Sequence, residues 1–146
     1  MNNTLESENK YCAYANKIRD NIKDLMIMNE EDLLINLAHL VQEAQYDDVI
    51  TVAKAKELID CNNIKILNIL HYAYFRTGNV AAAIDICNKV LKIDSKNEYA
   101  LYGAALCYAS IGNRDKVNEI LNSADFTGEK YIEIDNDIKR IMENIK

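Results

Sequence analysis

The chain has 146 residues, 49% of them hydrophobic, and a net charge of −6 at pH 7 with a pI of about 4.9. That length and apolar content suffice for one domain with a substantial core, which excludes a chain disordered throughout. The acidic balance excludes nucleic acid and anionic membrane as partners, since both require clustered Lys and Arg to displace counterions, and it points to a basic or partly apolar protein ligand. Four cysteines, Cys12, Cys61, Cys87 and Cys107, form no C-x-x-C pair and read as reduced thiols. The N-terminus lacks an apolar stretch of signal-peptide length, and no run approaches the roughly 20 apolar residues of a spanning helix. The expectation is a cytoplasmic protein.

Residues 1–29 start polar and continue as "NKYCAYANKIRDNIKDLMIM", with Tyr11, Ala15, Ile18, Ile22, Leu25 and Met26 on one stripe. This predicts an N-terminal amphipathic helix. It suits a cap folded onto the next segment, or a surface for self-association as a homodimer or for a partner, and both can hold together. From there on, apolar residues recur at helical spacing, proline is absent and only four glycines occur, so the chain reads as all-α. Gly78 in "RTGNV" and Gly112 in "SIGNR" each separate two apolar runs, as a left-handed glycine does between antiparallel helices, and they lie 34 residues apart.

Laying Ile64–Asn97 over Glu98–Tyr131 brings Leu67 onto Leu101, Tyr74 onto Tyr108, Ala83 onto Val117 and Ile86 onto Ile120. One period earlier, "QYDDVI" and "ELIDCNN" suggest a degenerate copy in which Ala44 stands where the glycine should be. The copies occupy 30–63, 64–97 and 98–128. They predict helix pairs Glu31–Ala44 with Asp47–Ile59, Ile64–Thr77 with Val80–Lys92, and Glu98–Ile111 with Arg114–Asp125. After Gly128, residues 129–146 carry Ile134, Ile138, Ile141 and Ile145 with charges between, the pattern of a C-terminal capping helix.

The 34-residue period, the tyrosine four before the glycine, the small residue five after it and the exit "KIDSKN" together resemble the tetratricopeptide (TPR) repeat. The chain departs from that family at Ser95, where proline is usual, and at His71, where glycine or alanine is usual. The resemblance covers about 100 of the 146 residues. It implies a right-handed superhelical stack of about three helix-turn-helix repeats that binds another protein in a concave groove lined by the first helix of each pair. The residues it assigns to that groove are Leu34, Ala38 and Val41, then Lys65, Asn68, Tyr72, Phe75 and Arg76, then Tyr99, Tyr102, Leu106 and Ser110. The two-carboxylate clamp of chaperone-tail-binding members is absent, since the matching positions are Leu34, Ala38, Ile69, Tyr99 and Gly103. An apolar, tyrosine-rich trough suits a segment inserting hydrophobic anchors.

The whole layout, with its acidic charge, is similar to the small type III secretion chaperones that hold hydrophobic translocator proteins. A general adaptor or scaffold subunit of another assembly is the alternative. Chemistry leaves little trace. There is no Walker-type glycine loop, and His39 and His71, 32 residues apart, have no acidic partner at metal-ligand spacing. Both histidines read as packed polar core side chains, and Cys87 and Cys107 as small buried hydrophobes. The expectation is a protein that is not an enzyme and uses no cofactor or metal.

Overall fold

A computed structural model of the chain describes residues 24–123. Most of the expected N-terminal amphipathic helix and all of the expected capping helix lie outside the described residues. After a helical stretch at 24–27, six α-helices follow: α1 Glu30–Gln42, α2 Tyr46–Ala55, α3 Ile64–Arg76, α4 Val80–Ile93, α5 Glu98–Ser110 and α6 Arg114–Ser123. A 3-10 turn, Leu58–Asp60, joins α2 to α3. The described residues are all-helical.

The starts of α1, α3 and α5 are 34 residues apart, and so are those of α2, α4 and α6. Each of the first three begins on an asparagine. The side-chain oxygens of Asn29, Asn63 and Asn97 accept from the backbone N–H groups of Asp32, Ile66 and Ala100 at 2.9, 3.2 and 3.1 Å. Each cap satisfies one of the orphan donors of a helix start and contributes about 1 kcal/mol.

The turn inside each pair is equally regular. Gln45, Asn79 and Asn113 donate their backbone N–H to the carbonyls of Leu40, Tyr74 and Tyr108 at 2.8, 2.8 and 2.9 Å. The residues just before them donate to Val41, Phe75 and Ala109. This double bond pattern is the Schellman motif, which needs a left-handed residue after the helix. Gly78 (φ 84°) and Gly112 (φ 78°) supply it readily, and Ala44 adopts the same conformation at φ 57°. The degenerate first copy therefore makes the same turn with an alanine, at a backbone cost of about 1 kcal/mol.

One expected helix is shortened. Periodicity extends the second helix over Asp47–Ile59, but α2 stops at Ala55, and Glu57 is left-handed at φ 52°. The chain breaks because Leu58 turns inward to 5% exposure, while Lys56 folds back to donate to the carbonyls of Met26 and Met28, both at 3.1 Å. Lys89 of α4 donates to the carbonyl of Ile59 and holds the turn from the other side.

The core runs along the stack. Leu33 and Leu37 of α1, Val49 and Val52 of α2, Ile66, Leu67 and Leu70 of α3, and Ile86 and Val90 of α4 are wholly buried. Burial of each such side chain contributes about 1.5–3 kcal/mol. Leu25, the one residue of the 24–27 stretch that is buried, joins the same core. Successive helices from α3 to α6 pack against one another, and α3 also contacts both α1 and α5. The first helices of the three pairs therefore lie side by side. On α5 the buried residues are mostly small, including Ala100, Gly103, Ala104 and Ala105, so its backbone can approach its neighbours closely.

Candidate partner-binding groove

Because α1, α3 and α5 start on equivalent asparagines, equivalent residues stand in rows across them. Glu31, Lys65 and Tyr99 fill the first row, Leu34, Asn68 and Tyr102 the second, Ala38, Tyr72 and Leu106 the third. The spacing along each helix keeps these rows on one face. Between them lies a groove of about 570 Å³. It is lined by Leu34 and Val41 from α1, by Lys65, Asn68, Tyr72 and Phe75 from α3, and by Tyr99, Tyr102 and Leu106 from α5. Tyr72 and Tyr99 are 37% and 60% exposed, a large apolar area left facing solvent.

Arg76 does not line the groove. It lies four residues past Tyr72 on the same side of α3, but its guanidinium is turned to Tyr46 and sits 5.4 Å from the centre of that ring. Tyr46 meets Tyr72 edge to face, with ring centres 5.8 Å apart at 74°. These contacts brace Tyr72 from behind. Burial, and after it the hydrogen bond shared with Tyr46, holds the Tyr72 hydroxyl protonated above its usual range. Ala38 and Ser110, also expected at the groove, are not among its lining residues.

Three lining residues were not expected: Ile69, His71 and Gly103. Two of them, His71 and Gly103, form one arrangement on the floor. His71 is 5% exposed, and its ring occupies the space over Gly103, where a β-carbon would stand 2.6 Å from Cε1 and 2.8 Å from Nδ1. Asn68 Nδ2 donates to Asn97 Oδ1 at 3.3 Å, so Asn68 Oδ1 is an acceptor, and His71 Nε2–H donates to it at 3.0 Å. Asn97 Oδ1 also caps α5. A polar chain thus runs from His71 through Asn68 to the helix cap and locks α3 to α5 beneath the groove.

Burial lowers the His71 pKa to about 4 and keeps the ring neutral. His39, expected in the core, is instead exposed, because α1 turns that position outward. Cys87 and Cys107 are wholly buried as expected, and burial pushes both thiols up, Cys107 to about 11 and Cys87 further. Cys61 is half-buried, and Cys12 lies outside the described residues.

At the starts of α1 and α3 the groove passes into a second recess. Leu34 and Lys65 border both, and Glu30, Glu31, Asn62, Asn63 and Ile64 complete the recess. Among the described residues, no helix is long and apolar enough to cross a membrane. No protein-family model matches the chain, and no curated protein matches it.

Proposed function

We propose that the chain is a non-catalytic interaction module, a TPR-like stack whose groove binds an extended or amphipathic segment of a partner protein. The observation that carries this reading is the groove itself: three helices held in phase present Leu34, Tyr72, Phe75, Tyr99, Tyr102 and Leu106 to one trough. Exposed tyrosines on a rigid backbone offer contact area at low entropic cost. Three buried titratable groups among the described residues, His71, Cys87 and Cys107, are poorly disposed for catalysis. His71 is neutral and hydrogen-bonded through Nε2, and the buried thiols stay protonated, whereas a nucleophile needs the thiolate.

The apolar groove suits a hydrophobic client, which favours a chaperone resembling those of type III secretion, working in the cytoplasm. An adaptor in another assembly would use the same trough for a different client. The N-terminal segment, residues 1–29, would supply a homodimer contact, and light scattering on a chain trimmed of residues 1–28 should then give a smaller mass per assembly. An unchanged mass would remove the dimer.

The groove reading is tested by affinity purification from the native source with the intact chain and with Tyr72→Ala plus Tyr102→Ala. A partner recovered by the first and lost by the second, at unchanged helix content by circular dichroism, supports it. Recovery of the same partner by both refutes it.

A further inference from the structure

We propose that the occupant of the groove is an amphipathic α-helix with a basic flank, contributed by a partner protein. This rests on the groove reading above and narrows it. The floor offers an incoming backbone very little to bond. Asn68, the central polar side chain, already spends its oxygen on His71 and one N–H on Asn97, and most of the other lining residues are apolar or aromatic. Tyr72 stands against Tyr46. An extended segment pressed onto this surface would bury peptide N–H and C=O groups without partners, which is unfavourable for each group. A helix arrives with those groups already bonded and presents only a stripe of side chains.

The charge of the rim fixes the flank. Glu30 and Glu31 border the recess that continues the groove, and Lys65 is the one cation beside them. The asparagine cap does not by itself require both carboxylates, since α3 opens on an equivalent cap with no acidic residue in its first turn and α5 with Glu98 alone; Glu30 also accepts from Asn63 Nδ2 at 3.4 Å, and Glu31 is exposed. Two carboxylates against one ammonium leave this rim negative, and a Lys or Arg beside the apolar stripe of the incoming helix complements it.

The test uses two labelled peptides of identical leucine–lysine composition, about 15 residues each. One places leucines at helical spacing and the other alternates them strictly. Fluorescence polarisation is read against the full chain, Tyr72→Ala, and Glu30→Gln with Glu31→Gln. The helical-period peptide should bind the full chain about tenfold more tightly than its isomer. Tyr72→Ala should remove that advantage, and the double glutamine variant should weaken it about threefold or more. Tighter, Tyr72-dependent binding of the alternating peptide overturns the helix and leaves the groove reading standing. Undiminished binding to the glutamine variant overturns the basic flank. If neither peptide binds in a Tyr72-dependent way, the groove reading falls and this inference with it.

Discussion

His71 and Gly103 form one packing unit across two helices: the imidazole of α3 fills the volume that a side chain on α5 would take, and a β-carbon at 103 would lie 2.6 Å from His71 Cε1. Gly103→Ala must therefore displace the ring or spread α3 from α5. It should destabilise the fold by about 1–3 kcal/mol in urea denaturation. In the background of His71→Ala, which empties the site, the same change should cost much less. That non-additivity separates a steric pair from two independent losses.

The same histidine sets a pH dependence. Its folded-state pKa, about 4, lies below the ordinary value of 6.5, so between these limits the unfolded chain binds a proton that the folded chain refuses. Stability therefore loses nothing from His71 above pH 6.5 and falls as the pH drops from 6.5 towards 4. The full effect is on the order of 3 kcal/mol. Chemical denaturation at a series of pH values, with His71→Gln compared at each, should show a shallower slope in the variant. Parallel profiles would contradict the assignment.

Ala44 performs a glycine's conformational task. Replacing it with glycine relieves the left-handed backbone and should stabilise the protein by up to about 1 kcal/mol. Gly78→Ala is the converse. Open space surrounds the position where its β-carbon would appear, so the loss, about 1 kcal/mol, would be conformational alone. Thermal melting of the two variants should move in opposite directions.

Asn63 and Asn97 cap equivalent helices but carry different loads. Asn63→Ala should cost about 1 kcal/mol, the usual value for a lost cap. Asn97→Ala also strips Asn68 Nδ2 of its acceptor, so its cost should be larger by about 1 kcal/mol. Equal losses in urea denaturation would mean that the chain from His71 to the α5 cap does not act as a unit.

The repeat was legible because it rests on local chemistry. A glycine at the same place in two copies and apolar residues at helical spacing are visible one residue at a time, and they locate the helix starts. The residues now found around the groove, Leu34, Tyr72 and Leu106 among them, were expected there only because the resemblance to the TPR repeat assigns the first helix of each pair to a groove. What was missed depends on contacts between distant residues. Nothing near Ala55 announces the end of α2; the break comes from Leu58 entering the core and from Lys56 reaching back some thirty residues to Met26 and Met28. The exchange of bulk between His71 and Gly103 spans two helices, and His71 alone reads only as a departure from the repeat pattern. Arg76 shares the side of α3 that carries Tyr72, and it stands apart from the groove lining because its guanidinium faces the Tyr46 ring, a long-range contact.

The central claim, that a partner segment lies across the aromatic rows of α3 and α5, is tested most directly by site-specific photocrosslinking in the native source. The photoreactive residue is placed in turn at Tyr99, 60% exposed on the groove, and at Ile93, 48% exposed on α4 outside it. The account predicts a crosslink from position 99 to one defined segment of a partner, absent from position 93 and lost when Tyr72 is alanine. An equal crosslink from position 93, or one that survives the loss of Tyr72, would contradict it.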